Sequence, residues 1–512
     1  MTPPGTGGTA AKIRRGLAVS AVNSIVVRLG NVLLGIVLAR LLAPAEFGIF
    51  AVALTCQMIL LAVADFGLSA DLIRRGDVDR RGPTTAVLAL GLSGTLAALM
   101  VAFADQVAAA LGDADAGDSV RVLALTIVLS GVSVVPFAVL QRAFMQGRLF
   151  QADAASLAVQ AVVVLTLVQT GSGPLALAWS RVAGQLVAVL LLFVFARRAP
   201  RFAWDRTIAR ESLRFGAPMA AANLVSWALL GVDYAVVGRL LGPEQLGFYV
   251  LAFNVSAWPI AALGQAVQNV ALPAFAQQDQ AREQLGRSLA RATALTWTAA
   301  GWMSTMITVL ALPLVVSLYG ARWAAAAAAL AGLGLFGGLR LVLNVLAAFL
   351  VSQGATRRLL MVQLVWIAAL IPALVLGTSE LGIRGTALAH LVAAAVVALP
   401  AHLWAVRSVG VRVGPVLRGA VLPVFAAAVS GAAAWAVTTQ VGGTWLQLMV
   451  GGTVGSAVYL VVVARSLRGL LRPGAAYGTG SSPTVPGPTV PDPTVNVSVE
   501  PAQRHDTREA IS

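Results

Sequence analysis

Charge is scarce in this sequence. Of 512 residues, 11% are Asp, Glu, Lys or Arg and 58% are hydrophobic, whereas a soluble chain carries about a quarter charged residues. With a mean hydropathy of +0.84, this deficit excludes a water-soluble enzyme and makes lipid the solvent for much of the molecule. Lysine is almost missing, since Lys12 is the only one. The net charge of +15 therefore comes from arginine. In so apolar a chain it reads as cytoplasmic loops held by anionic lipid headgroups, not as a nucleic-acid surface. Cysteine occurs once, as Cys56 in an apolar run, which rules out an intrachain disulfide and a cysteine metal cluster. No phosphate-cradling glycine loop is followed by lysine, so nucleotide hydrolysis is not expected, and neither is a cofactor or a bound metal.

What the sequence does contain is a succession of apolar runs. A membrane helix needs about 20 mostly apolar residues. On that measure the chain is an all-α membrane protein with about fourteen transmembrane helices, expected near 17–42, 47–72, 84–111, 119–141, 152–170, 174–197, 211–241, 245–272, 290–318, 322–352, 358–377, 381–406, 415–438 and 443–466. Lys12, Arg14 and Arg15 ahead of the first run imitate a signal peptide, but that run is too long for a signal core and more spans follow, so it is read as an uncleaved helix. Ala43-Pro44, Gly82-Pro83, the stretch from Gly171 to Pro174, and Gly242-Pro243 punctuate the junctions.

Charge provides an independent check. The even-numbered loops carry Arg74, Arg75, Arg80 and Arg81, then Arg142 and Arg148, then Arg197, Arg198, Arg201, Arg206, Arg210 and Arg214. Further along they carry Arg282, Arg287 and Arg291, then Arg357 and Arg358, then Arg407, Arg412 and Arg418, and the last helix is flanked by Arg465, Arg468 and Arg472. The odd loops are short and nearly bare, apart from the acidic stretch between Gly112 and Asp118, with only scattered arginines such as Arg40, Arg121, Arg239, Arg322 and Arg384. The alternation places the even loops and both termini in the cytoplasm of a multi-pass inner-membrane protein. The stretch from Trp204 to Arg214 has helical apolar spacing and is expected to lie on the membrane surface. The tail repeats Pro-Thr-Val from Pro483, Pro488 and Pro493, and is expected to be extended and disordered, with its threonines open to phosphorylation. The sequon at Asn496 falls on the cytoplasmic side and is read as chance.

The strongest motif is a repeat. Arg40-Leu41-Leu42-Ala43-Pro44-Ala45-Glu46-Phe47-Gly48 returns as Arg239-Leu240-Leu241-Gly242-Pro243-Glu244-Gln245-Leu246-Gly247. Proline stops one helix, an acid or amide caps the next, and glycine permits close packing. The offset of about 200 residues spans six helices, an even number that keeps orientation, so the chain is expected to hold two six-helix lobes in parallel repeat plus two extra C-terminal helices. The expected divisions are a cytoplasmic N-terminus (1–16), the first lobe (17–197), a linker (198–210), the second lobe (211–406), helices thirteen and fourteen (415–466) and the tail (467–512).

Leu42-Ala43-Pro44-Ala45-Glu46-Phe47-Gly48 followed by Asp65-Phe66-Gly67-Leu68 resembles the first-lobe signature of polysaccharide transport proteins, the Wzx-like flippases of lipid-linked oligosaccharides within the multidrug/oligosaccharidyl-lipid/polysaccharide exporter superfamily. Phe215-Gly216-Ala217-Pro218, Asp233-Tyr234 and the stretch from Leu241 to Tyr249 resemble the second-lobe signature. The resemblance covers most of residues 12 to 466. It implies alternating access between two lobes that carry an undecaprenyl-diphosphate-linked glycan to the outer leaflet. Polymerases or glycosyltransferases are the partners it implies, and multidrug exporters share the superfamily.

A charge at bilayer depth costs about 2.5–3.5 kcal/mol on insertion scales, so each one needs a partner or a wet cavity. Ser20, Ser24, Arg28, Asn31 and Gly35 form a polar stripe on the first helix, and a guanidinium suits a diphosphate because its planar donors bind oxygens in pairs. Arg28 and Asn31 are therefore candidate substrate contacts, with a salt bridge from Arg28 to Asp65 as the structural alternative. Asn223 shares a face with Ser226 and Asp233, and Arg340 and Asn344 stand one turn apart after Gly337-Gly338. Asn223, Arg340 and Asn344 complete the substrate set. Asp233 is open between a proton or cation site, an arginine's partner and an interfacial polar residue, while Asp65 is open between ion coupling and helix packing. Gln265, Gln268 and Asn269 suit sugars or helix bridging equally. His390 and His402 are not spaced as a metal pair. Pro136, Pro218, Pro259 and Pro313 are candidate kinks. An exporter of amphipathic small molecules is the main alternative. A membrane enzyme would need a sizeable outer loop or a carboxylate cluster, and a passive scaffold would leave a buried arginine unexplained.

Overall fold

The computed structural model describes residues 30–64, 66–143, 145–197, 199, 201–258 and 282–471. Among these, every regular element is helical. The chain divides into two units, 1–465 and 466–512; of the second, the described residues 466–471 are helical. The tail and its Pro-Thr-Val repeats lie outside the described residues.

The helices are α1 (Gly30–Leu41), α2 (Pro44–Ala64), α3 (Leu68–Arg75), α4 (Val78–Ala102), α5 (Ala104–Ala110), α6 (Gly117–Arg142), α7 (Gln146–Gln169), α8 (Gly173–Ala196) and α9 (Arg206–Ser256). After these come α10 (Arg282–Val309), α11 (Ala311–Tyr319), α12 (Ala326–Ser352), α13 (Thr356–Val392), α14 (Leu399–Ser408), α15 (Gly414–Thr438) and α16 (Thr444–Leu471), with a π-helical turn at Ala393–Ala398 joining α13 to α14. Nine helices among the described residues are long and apolar enough to cross a membrane, and α10 with α11, bent by 71°, adds a tenth. The protein is an all-helical, multi-pass membrane protein.

Two long elements each hold more than one crossing. The 51 residues of α9 would reach about 75 Å as a straight helix, more than twice a hydrocarbon core of about 30 Å. Gly242 interrupts it with φ 82° and ψ 177°, a conformation open only to glycine. Tyr249 lies 16 residues after Asp233, yet its hydroxyl donates to the Asp233 carboxylate at 2.7 Å, where an unbroken helix would hold them about 24 Å apart. The chain therefore reverses at Gly242. Gly382 (φ 57°, ψ −146°) interrupts α13 in the same way, and Thr378 and Thr386 share a hydrogen bond of 2.8 Å across the turn. Both reversals fall where the sequence ends one expected span and begins the next.

The segment expected on the membrane surface is different. Trp204 is exposed ahead of any helix, and the residues from Arg206 onward form the first turns of α9 itself. Asp205 starts that helix, its carboxylate accepting from the backbone N–H of Thr207 at 2.8 Å and of Ile208 at 3.2 Å. Those two N–H bonds, Ile208 foremost, hold the Asp205 carboxyl below its ordinary range. Along the apolar stripe Ile208 is buried, while Trp204 and Leu213 are exposed.

Candidate functional site

The repeated loops meet each other. α2 packs more extensively on α9 than any other pair of helices does, and at their adjoining ends a Cβ on Gly48 would collide with the Pro243 carbonyl while a Cβ on Gly247 would collide with the Pro44 carbonyl. The contact is reciprocal because the two loops are copies. Glycine was expected to allow close packing, and here it allows one loop to pack on the other. Glu46 accepts from the Ala43 N–H at 2.7 Å and caps the start of α2. Around the contact, Arg40 donates to Leu318 O at 2.7 Å and Ser317 O at 2.6 Å, and the fully buried Trp323 indole donates to Ala39 O at 2.6 Å. Arg322 donates to the Ala39 and Arg40 carbonyls. The Trp323 ring stands edge-on to Phe47 at 5.6 Å and to Phe248 at 5.9 Å, so one side chain from α10–α12 closes against both copies. Two of the scattered arginines of the odd loops, Arg40 and Arg322, thus serve as carbonyl caps, whereas Arg121 pairs with Asp105 and Asp118. This end is shut.

The arginine-rich end is tied by ions. Asp71 in α3 is buried and takes Arg75 at 2.9 Å and the Ser212 hydroxyl at 2.8 Å. Glu211 in α9 takes Arg75 at 3.0 Å and Arg81 at 2.5 Å. Arg74 lies 4.5 Å from the centre of the Phe215 ring. Loop arginines, read from sequence only as a topology signal, therefore also pin the start of α9 to α3 and α4. An apolar pocket of about 320 Å³ opens between α4, α6 and α8, lined by Pro83, Pro136, Phe193 and Phe202 together with Arg197 and Arg201. It lies within the first lobe.

The polar interior of the second lobe centres on Asp233, which is fully buried. Its carboxylate accepts from Tyr249 at 2.7 Å and faces His390 Nε2 at 3.3 Å, and it also accepts from the Tyr234 N–H at 3.0 Å. Arg340 on α12 lies within electrostatic reach of the same carboxylate. Rings enclose the group: Phe336 is 4.9 Å and Phe253 6.3 Å from the imidazole. Tyr234 and Tyr249 stand edge-on to each other at 6.0 Å. Arg340 is half-buried, and Asn344, one turn on, is exposed.

The other candidates fare differently. Asn31 is exposed on α1. Arg28, Asp65, Pro259, Gln265, Gln268 and Asn269, and the side chains of Pro218, Asn223 and Ser226, lie outside the described residues. The proposed Arg28–Asp65 bridge lies there too. His402 turns Nδ1 to its own Ala398 carbonyl at 2.8 Å. Among the described residues no group of His, Cys, Asp and Glu could hold a metal ion. Three further candidates are not placed in the site by sequence: Arg181 is passed over, His390 is noted without a role in the set, and Tyr249 is read only as part of a signature. Tyr249 and His390 reach Asp233 across 16 and 157 residues, and no periodicity encodes that. Arg181 could have been found, for it stands inside the apolar run of α8 as Arg28 does in its own. Its side chain is accessible although protein surrounds it, and it lies 5.9 Å from the Phe50 ring. That combination fits a side chain lining an internal cavity, since lipid would not accept it.

A helical bundle with a sealed end, duplicated halves and charges lining its interior has the form of a membrane transporter. Residues 37–328 match the family described as polysaccharide biosynthesis protein, and the chain belongs to that family. It is similar to the succinoglycan biosynthesis transport protein ExoT of Rhizobium meliloti, with 27% identity over 456 residues covering 85% of this chain and 89% of that one. It is also similar to the lipopolysaccharide biosynthesis protein WzxC of Escherichia coli, with 27% identity over 49% of this chain and 51% of the relative. In fold it resembles the lipid II flippase MurJ in an inward closed conformation (TM-score 0.73, 12% identity, 89% of this chain and 100% of that one). It likewise resembles an inward-facing MATE-family multidrug resistance transporter of the MOP superfamily (TM-score 0.61, 19% identity, 76% and 98% covered).

Proposed function

We propose that the protein carries a polyprenyl-diphosphate-linked oligosaccharide or polysaccharide precursor across the inner membrane by alternating access between its lobes, here 17–197 and 211–406. Family membership and the relatives named for polysaccharide and lipopolysaccharide biosynthesis support the cargo class. The observation that carries the reading is a pair of guanidiniums at bilayer depth, Arg181 on α8 and Arg340 on α12, both reaching accessible surface inside otherwise apolar helices. Lipid penalises such groups, and a bidentate diphosphate suits them. Arg28, Asn31, Asn223 and Asn344 are proposed to extend this surface toward phosphate and sugar, with Asp65 serving coupling or packing.

In this reading the arginine-rich end and both termini face the cytoplasm, and the sealed repeat loops face outward. The protein performs no chemistry on its cargo, and a glycosyltransferase or polymerase acts before or after it. Liposomes holding the purified protein and a fluorescent polyprenyl-diphosphate oligosaccharide test this directly. Wild type should equilibrate the lipid between leaflets, while Arg181→Gln and Arg340→Gln should insert normally and slow it at least tenfold. Equal rates in protein-free liposomes would sink the proposal. The fold shared with a multidrug transporter favours a second reading, export of amphipathic small molecules. Extrusion of a cationic dye by the same liposomes, with no movement of the glycolipid, would select it.

A further inference from the structure

The second lobe buries one carboxylate among more cationic partners than it needs. Asp233 is fully buried, and burial of an ionised carboxylate demands a countercharge. Two groups can supply it. Arg340 sits within electrostatic reach, permanently charged, half-buried and turned partly toward accessible surface. His390 sits at 3.3 Å, almost fully buried, and becomes a cation only on taking a proton. Its other ring nitrogen, Nδ1, is buried and has no hydrogen-bond partner among the described residues. A buried imidazole ordinarily satisfies both nitrogens. Instead, the Phe336 ring lies against the imidazole at 4.9 Å, an aromatic neighbour that attracts an imidazolium more than an imidazole. The π-helical turn Ala393–Ala398 begins one residue after the end of α13 and leaves the helix carrying His390 a local defect beside the group.

We propose that Asp233, Tyr249 and His390 form a proton-binding site inside the second lobe, in which His390 and Arg340 compete for one carboxylate. In one state Arg340 neutralises Asp233 and His390 is neutral, its Nε2–H donating to the carboxylate. In the other, a proton from water binds Nδ1, the imidazolium neutralises Asp233, and the Arg340 guanidinium is released toward the accessible face. No bond between heavy atoms changes, and Tyr249 keeps its donation in both states. Proton uptake and anion binding at Arg340 therefore favour each other, and by linkage the effect is mutual.

The groups facing His390 are few. Among the described residues, helix α9 brings Asp233, Tyr234 and Tyr249, α12 brings Arg340, and the π turn brings only alanine and valine; His402 on α14 is occupied by its own helix. The proton site stands on its own geometry; its tie to cargo rests on the flippase reading.

The chain has three histidines, His390, His402 and His505, so ¹⁵N-histidine labelling in lipid nanodiscs resolves them. The double variant His402→Gln/His505→Gln leaves His390 as the sole histidine signal. The expected result is a pH-dependent change in the shifts of both His390 nitrogens, altered by Asp233→Asn. Nitrogen shifts constant from pH 5 to 9 would overturn the proton site. The second measurement is the affinity for a polyprenyl diphosphate bearing one hexose, whose two phosphodiesters keep a fixed charge over this range. Wild type should bind it at least about fivefold more tightly at pH 6 than at pH 8, and His390→Gln should bind equally at both. Equal affinity in wild type while His390 titrates would overturn the competition for Asp233. Titration with no binding of the probe at any pH would leave the proton site standing and defeat the flippase reading instead.

Discussion

The two lobes begin alike and end differently. Each opens with the same arginine, leucine pair, proline and glycine, and each brings an aromatic residue two positions past that glycine into its interior, Phe50 in the first lobe and Tyr249 in the second. Phe50 lies near Arg181, which pairs with no carboxylate among the described residues. Tyr249 lies on Asp233, with His390 and Arg340 around it. The shared parts build the seal, where identical backbones must meet. The divergent parts place charge, an unpaired cation on one side and a self-neutralised cluster on the other. Duplication fixed the frame, and the polar interiors then took separate tasks.

That contrast can be broken most directly at Asp233. Asp233→Leu strips a buried cluster of its one anion and should cost about 3–5 kcal/mol of stability, read as a lower midpoint of unfolding in detergent. Arg181→Leu should cost none, having no ion partner among the described residues; equal losses in the two variants would erase the distinction between the lobes. The next effect belongs to the shared part. Gly48→Val and Gly247→Val each drive a side chain into the facing proline carbonyl, at about 3 kcal/mol, which lowers the sealed population roughly a hundredfold. Outward accessibility of a reporter cysteine near Pro44, in a Cys56→Ala background, should rise equally in both. A rise in only one would contradict the reciprocal contact. Tyr249→Phe removes a hydroxyl that donates to a buried carboxylate and should cost about 2 kcal/mol, whereas Phe50→Tyr should gain nothing; the paired unfolding midpoints decide.

The smallest effect lies outside both interiors, at Asp205. Its carboxyl is held below the usual range by backbone N–H groups, so the stabilisation is fully present above the unfolded carboxyl's range, near pH 4, and is lost as pH falls through the folded value. Asp205→Ala should therefore unfold slightly earlier than wild type at pH 7 and match it near pH 2. A gap that persists in acid would point to a cause other than the helix cap.

Much of the fold could be read in advance because the bilayer imposes a length and the loops carry a sign. The reversals at Gly242 and Gly382, the ends of α6 and α8, and the basic loops all follow from those two constraints. The continuity of the stretch from Arg206 to Arg214 with α9 was not legible, because an apolar stripe at Ile208 looks the same in a separate linker helix and in the first turns of a longer one. The site was half visible. Asp233, Arg340 and Asn344 stand out as polar residues in apolar helices, and Arg181 obeys the same rule. His390 and Tyr249 gain meaning only when α13 and both limbs of α9 lie side by side, a fact of tertiary packing that local pattern does not hold.

The reciprocal meeting of Gly48 with Pro243 and Gly247 with Pro44 has the geometry of an isologous interface, in which each partner offers the same patch to the other. Such a surface is what two separate copies of a half-length polypeptide would use to pair about a two-fold axis. The junction thus has, within one chain, the form of a contact between two identical subunits. Splitting the gene at the linker, with both pieces supplied together, is the reconstruction it invites.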